Sequence, residues 1–541
     1  MIPTKLHLSH ARTFATVVVA LLAISLLFMA GCSGSGNDES GSASGGSGND
    51  SDGAVKTLNA GSTTYFYAES MDPASEWDGW YLSYYGIMEN LFKVSDDLTP
   101  EPWLAESANH VGECTWKVTL RDGVTFSNGE PVDAAAVKAC WERTYAENAR
   151  AAETLPYDSL EADGNALTIR TPTEMTSFEN ALCDPLLCVY YVGEGVDYGQ
   201  CTPGTGPYAI KEFVAEDHIA MTPNEQYWNG TPKLDQVTLT CFSDENAIAM
   251  ALQNGEIQAI AMPSASTLAT LAGNPDFMVD KRANSRADFI RMNLAQPLME
   301  NEAVRQALAW CVDREGYAQT INSGASTPCW GVYSASLPFG GTDGLDVTVN
   351  ACNVEKAAQA LEDAGITDAD GDGVRELDGT PLELELYVCA SHDRLVKLAD
   401  DLLGKAASAG IKLNVHVTDY YLEDAQTFAT DKPDLVLDSA AMAPTGNQAY
   451  FANTNFKSGA SGNLGDYSNS QVDALIDQLD QVFDEQERNE LSRQIAQHVL
   501  DDAPFVFFAN TESVVIAADG VSGLDTSPSE YYFVTVDTDV A

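Results

Sequence analysis

An α/β fold is the class this sequence predicts, and three observations carry the prediction. Short stretches of alternating apolar and polar residues take turns with longer stretches of helical periodicity. Several helical stretches begin on Asp or Asn and end on Gly, which cap the free amides at one end and allow the left-handed turn at the other. The chain has 541 residues and is 45% hydrophobic, enough for two or three domains with cores of their own.

The elements follow in order. Residues 116–120 (Trp-Lys-Val-Thr-Leu) alternate as a strand and break at Asp122-Gly123. A helix starts near Asp133, which caps Ala134 to Val137. Residues 237–240 form a strand, and a helix runs from about Asp244 to Asn254 and stops at Gly255. Residues 301–311 are helical, as are 354–364, with Gly365 at the C-terminus. Residues 382–386 alternate as a strand. A helix over 394–408 ends at Gly410, and 411–417 return to strand. Two more helices cover 470–482 and 485–500, and 505–508 close with a strand. This order predicts sheets that are mainly parallel. No internal repeat is visible.

The N-terminus carries an address. Lys5 and Arg12 precede an apolar stretch from about Phe14 to Met29, then Ala30-Gly31-Cys32. At about 16 residues that stretch is shorter than the roughly 20 a spanning helix needs. The pattern reads as a bacterial lipoprotein signal over residues 1–31, with the Cys32 thiol accepting the lipid. Met29 stands where Leu is commonest in such signals. Residues 32–55 are rich in Gly and Ser and read as a flexible tether with a reach of about 25 Å. A body held outside a membrane has no access to cytosolic ATP or nucleic acid.

Charge agrees with that exclusion. The chain has 28 basic and 80 acidic side chains, a net charge of −52. Such a surface repels DNA, RNA and anionic headgroups, keeps an exported protein soluble and monomeric, and draws cations toward it. Ten cysteines remain after Cys32. In an oxidising compartment some are expected to pair, and Cys183 and Cys188 are spaced to bridge a short loop. No CxxC and no Cys/His cluster has zinc spacing, so no metal site and no cofactor is expected. Nor is there an HExxH, a GxSxG or a phosphate loop, so no enzyme is expected.

Longer blocks carry a resemblance. Trp116 through Val132 reads W-K-V-T-L-R-D-G-V-T-F-S-N-G-E-P-V, preceded by Leu104-Ala105-Glu106-Ser107. Gly204-Thr205-Gly206-Pro207-Tyr208, Asn224-Glu225-Gln226-Tyr227-Trp228 and Val304 to Ala309 with Asp313-Arg314 follow. Asp466-Tyr467-Ser468-Asn469 with Val472-Asp473, then Asp502-Ala503-Pro504, complete the set. In this order the blocks resemble the extracellular solute-binding proteins of peptide and nickel ABC importers, family 5, across about residues 56–541. The resemblance implies a bilobed receptor of the periplasmic-binding-protein kind (type II, cluster C). Lobe I would hold 56–285 and return over 505–541, and lobe II would hold 286–504. It also implies partners: an ABC permease with its ATPases, and the membrane through the lipid.

The site follows from the same resemblance. Trp77, Trp80, Tyr81, Tyr84 and Tyr85 crowd a stretch that lines the cleft in the family, where aromatics offer area and a polar handle. Each of them is also a candidate for the core. Trp80 and Tyr84, four apart, would share a helix face. The second wall would come from residues 438–451, with Met442, Thr445, Asn447 and Tyr450 as contacts. Peptide-binding relatives carry a Trp and an Asp on this loop. Here Ala440 and Ala443 stand nearest to those positions. A nickel-binding relative carries a His there, and here Gln448-Ala449-Tyr450 stand instead. Arg150 could pair a ligand carboxylate or sit solvated on the surface. His416, among Leu413, Val415 and Val417, reads as structural. Asp368-Ala369-Asp370-Gly371-Asp372-Gly373 begins like a calcium loop but has Gly379 where the motif wants Glu, and an acidic turn is the plainer reading. The function implied is capture of a peptide or peptide-like solute for an importer. Nickel or a nickel chelate is the alternative cargo. A calcium-stabilised surface or adhesion lipoprotein is the alternative of another class.

Overall fold

Two long strands, paired antiparallel to each other, organise the molecule. The computed structural model describes residues 55–63, 70–347, 352–422 and 425–541. Its main sheet comprises β1 (Thr57–Ser62), β2 (Tyr208–Val214), β3 (His218–Pro223), β4 (Gln236–Cys241), β5 (Ala259–Ala261) and β6 (Phe277–Met292). It continues with β7 (Ser326–Pro328), β8 (Glu383–Cys389), β9 (Lys412–Thr418), β10 (Leu435–Ala441) and β11 (Phe505–Ala518). The order across it is β9-β8-β10-β6-β11-β5-β1-β4-β3-β2, with β7 on β11.

The expected parallel sheet is therefore corrected to a mixed one. β8 runs parallel to β9 and β10, and β1 to β4 and β5. The remaining pairs are antiparallel: β2-β3-β4 at one end, and every pair made by β6 (16 residues) and β11 (14 residues), which cross between the two parallel groups. Their register shifts between Ala283 and Ala287 and again between Asp288 and Phe289. Bulges of this kind bend a strand locally. The first bulge is held by side chains: Thr511 Oγ1 donates to Asn284 Oδ1 at 2.9 Å, and Ser336 Oγ to the Asn284 carbonyl at 3.2 Å.

The helices form where local chemistry starts them. α1 (Asp78–Tyr84) is short. α2 (Ala134–Glu147) starts where Asp133 accepts from the Ala136 amide at 2.8 Å. α3 (Glu245–Gln253), α4 (Glu302–Cys311) and α5 (Val354–Asp363) start on Asp244, Asn301 and Asn353 in the same way. α6 (Asp393–Ser408) follows β8. α7 (Ser470–Leu479) and α8 (Glu485–Asp502) start on Asn469 and Asp484. A second, four-stranded sheet covers 105–120 and 159–170. One apolar core joins this small sheet to β1, β4, the chain's last segment and α7–α8. Another gathers α4, α5 and α6 against β8, β10 and the lower part of β6. Among the described residues no helix is long and apolar enough to cross a membrane. Cys32 and the tether as far as residue 54 lie outside the described residues.

The ten cysteines from Cys114 to Cys389 carry free thiols. The expected Cys183–Cys188 bridge is not formed. The Pro185–Leu187 turn between them sends Cys183 Sγ to the Glu179 carbonyl, while the Cys188 carbonyl accepts from Cys140 Sγ. The acidic turn satisfies itself: Asp368 accepts from the Gly371 and Gly373 amides at 2.7 and 3.0 Å, and Asp370 and Asp372 accept from amides two residues on. His416 sits on β9, its Nε2 2.5 Å from Glu385 and its ring stacked on Tyr387.

Candidate functional site

Aromatic residues on α1 and its approach form one wall. Trp77 is 53% exposed, and the Arg150 guanidinium lies 3.6 Å over its ring. Arg150 also donates to the Glu76 carbonyl, so its charge is positioned rather than free in solvent. Trp80 stacks on Tyr81 with ring planes 9° apart, and its Nε1 donates to the Glu530 carbonyl at 2.5 Å. Tyr81 is half-buried, and burial, Asp78 and then Tyr421 push its phenol up.

A second candidate group lies at one edge of the main sheet. β8, β9 and β10 run in one direction, so their carboxyl ends share one edge of the sheet, where open α/β sheets bind ligands. Three segments leave that edge. Ser391 and His392 follow β8, Tyr420 and Tyr421 follow β9, and the Met442–Tyr450 loop follows β10. Ser391 Oγ and the Tyr421 hydroxyl are 2.6 Å apart, and His392 meets the Tyr421 ring edge-on at 5.3 Å. Burial and the Arg394 guanidinium push His392 down to about 4, so its imidazole is neutral at physiological pH.

The expected site residues separate into two groups. Trp80, Tyr81, Asn447 and Tyr450 keep accessible surface, Tyr450 the most at 39%. Tyr84, Met442 and Thr445 are buried. Tyr84 stacks on Phe533 at 5.3 Å, and Met442 has no exposed surface. Thr445 fixes the loop, its carbonyl accepting from Asn180 Nδ2 at 2.7 Å.

Sequence reasoning missed the charges that floor this region. Glu530 accepts from Asn284 Nδ2 at 2.9 Å and from Arg286 Nε and Nη2 at 2.9–3.3 Å. It thereby ties the β6 bulge to the last segment of the chain and, through its carbonyl, to Trp80. Asp288 has no exposed surface. It accepts from Arg394 Nε and Nη2 at 3.0 and 2.8 Å and from the Tyr317 hydroxyl at 2.5 Å. Burial alone would raise Asp288, but these partners hold it below the usual carboxylate range. Of these residues, His392 and Arg394 were within reach of the sequence, since they follow a strand directly.

The chain matches the profile of the bacterial extracellular solute-binding proteins, family 5 Middle, over residues 99–463. The nickel-binding protein NikA of Staphylococcus aureus is 28% identical over 458 residues, 84% of this chain and 89% of that one. The oligopeptide-binding protein AppA of Bacillus subtilis is 22% identical over 539 residues, 96% of this chain and 97% of that one. The crystal structure of S. aureus NikA in complex with Ni(L-His)2 matches with a TM-score of 0.75 at 27% identity. That match covers 90% of this chain and all of the other.

Proposed function

The chain belongs to the bacterial extracellular solute-binding proteins of family 5, and on that premise we propose that it captures a peptide-like solute. The site is the region between Trp77, Trp80 and Tyr81 on one side and His392, Tyr421, Asn447 and Tyr450 on the other. The fold is the bilobed α/β fold of periplasmic binding proteins, and the protein is a binding protein of an ABC importer rather than an enzyme. Lobe I spans 56–285 and 505–541, and lobe II spans 286–504. The hinge lies at the β6 bulge between Ala283 and Ala287 and at the opposing part of β11. Solute binding shifts an open–closed equilibrium there, and the closed form meets the permease while cytoplasmic ATPases drive transport. Cys32 carries the lipid that keeps a monomeric receptor near that permease, and Cys32→Ser is expected to release the protein from membranes.

The single observation that supports this reading most is the Arg150 guanidinium 3.6 Å over the exposed Trp77 ring, next to the stacked Trp80–Tyr81 pair. Aromatic faces hold the apolar parts of a solute, and Arg150 offers a carboxylate two parallel hydrogen bonds. A second reading, a nickel chelate as cargo, is favoured by His392. Its neutral imidazole has the protonation state a metal ligand needs. Native mass spectrometry of the protein as purified from its own cells separates the two. A ladder of short peptides supports the first reading. A stoichiometric metal with a small chelator supports the second. If peptides and chelates both fail to bind in titration, both readings fall.

A further inference from the structure

A cavity of about 740 Å³ lies apart from that cleft, between the turn after α1, residues 93–103 and the segment 523–537. None of Trp77, Trp80, Tyr81, His392, Tyr421 or Tyr450 lines it. Glu89, Asp96, Asp97, Glu101, Asp525 and Asp537 line it, against one basic side chain, Lys93. Half of these carboxylates are already answered. Glu89 accepts from the indoles of Trp103 and Trp228 and from the Tyr227 hydroxyl at 2.7–3.0 Å. Asp96 pairs with Arg282 at 2.5 Å and Asp537 with Lys233 at 3.3 Å. The carboxylates of Asp97, Glu101 and Asp525 have no hydrogen bond or ion pair among the described residues. Burial and the nearby Asp96 push Asp525 up to about 6.

A different kind of feature also points to a ligand. Ser83 lines the same cavity, is only 4% exposed, and its Oγ has no hydrogen-bond partner among the described residues. A buried hydroxyl left without a partner costs about 1–3 kcal/mol, which a ligand's donor would offset. Trp103 and Tyr532 contribute aromatic walls, and Lys93 Nζ sits 4.2 Å over the Trp103 ring.

We propose that this cavity binds a small linear organic polycation of the polyamine class. A single divalent ion needs converging ligands. Among the described residues the group of three carboxylates within 4.8 Å of one another is Asp368, Asp370 and Glu376, outside this cavity. Carboxylates spread around a wall suit ammonium groups spaced along an apolar chain. The methylenes lie on the aromatic faces, and Ser83 accepts from one ammonium. The net charge of −52 raises the local concentration of such cations.

Calorimetric titration of the purified protein with spermidine at physiological ionic strength tests this. One saturable site is expected, with Mg²⁺ at equal concentration failing to displace the ligand. Asp525→Asn should weaken binding at least about tenfold, the range for a lost charged hydrogen bond, and Ser83→Ala should weaken it less. Glu101→Gln, on an exposed side chain, serves if Asp525→Asn fails to fold. Asp363→Asn, an exposed carboxylate on α5, and Tyr81→Ala, in the cleft, should leave spermidine affinity unchanged. Unsaturable binding, equal competition by Mg²⁺, or unchanged affinity in both the Asp525 and Glu101 variants overturns the proposal.

Discussion

Replacing Asp78 by Asn should make the protein more stable at neutral pH and leave it unchanged in acid. Asp78 begins α1, is 6% exposed, and accepts from Ser70 Oγ at 3.3 Å and from the Asp72 backbone amide. Among the described residues no cation pairs with it: burial, with Asp72 and Glu76 nearby, pushes it from 3.8 up to about 7. The folded pKa lies above the unfolded one, so between about pH 4 and 7 the folded chain keeps a proton that the unfolded chain has released. Stability is full below that window, falls as pH rises through it, and stays reduced above it. At about 1.4 kcal/mol per pH unit, the shift from 3.8 to about 7 corresponds to at most about 4 kcal/mol. The dipole of so short a helix favours a carboxylate by less than about 1 kcal/mol, too little to reverse the sign. Asn is neutral at every pH and still accepts from Ser70. Urea unfolding followed by tryptophan fluorescence should therefore show Asp78→Asn more stable at pH 8, by up to about 4 kcal/mol, and equal to the parent near pH 4. A difference that does not change with pH, or an Asn variant that is weaker at pH 8, refutes the reasoning.

Other perturbations have equally definite outcomes. Tyr81→Ala should weaken solute binding about tenfold or more, by titration, with unfolding free energy within about 1 kcal/mol of the parent. Trp80→Ala should lower both affinity and stability, because its indole also donates to Glu530 and stacks on Tyr81. Glu530→Ala removes the carboxylate that pairs with Arg286 and accepts from Asn284, and should cost about 3–5 kcal/mol in denaturant unfolding. Arg394→Ala should cost a similar amount by stranding Asp288. Arg394→Met with Asp288→Leu should recover most of it, because removing both charges leaves nothing buried and unpaired.

Local chemistry decided what could be read from the sequence. Asp133, Asp244, Asn301 and Asn469 each start a helix because a short side chain reaches an amide two or three residues away, and that reach is a property of neighbours in sequence. β6 was invisible for the opposite reason. Asp280, Lys281, Arg282, Asn284, Arg286, Asp288 and Arg291 give it a polar face. It becomes a strand by pairing with β11, and its charges are accepted because distant partners such as Glu530 and Arg394 meet them. β11 was read only as far as Phe508, since Asn510, Thr511, Glu512 and Ser513 look like a loop until β6 lies beside them. The aromatic wall was legible as a cluster, but its division was not. Trp80 and Tyr84 both lie on α1, four apart as read, but Phe533, from the chain's end, stacks on Tyr84 and buries it.

The floor of the cleft constrains what the receptor can select. Arg286 is answered by Glu530, Arg394 by Asp288, and Arg291 lies 3.8 Å from Asp438. A strongly anionic solute would have to displace a carboxylate from one of these pairs, breaking contacts that also hold the β6 bulge. Arg150 differs: it rests on the face of Trp77 and donates to a backbone carbonyl, so a solute carboxylate can meet it without stranding a buried charge. Positive charge on the solute is met by the acidity of the whole surface. At the site proposed above, selection would then fall on one carboxylate, a cationic or neutral remainder, and a flat apolar body held on the aromatic wall. Amino-acid chemistry supplies all three, whether as a short peptide or as the organic shell around a metal.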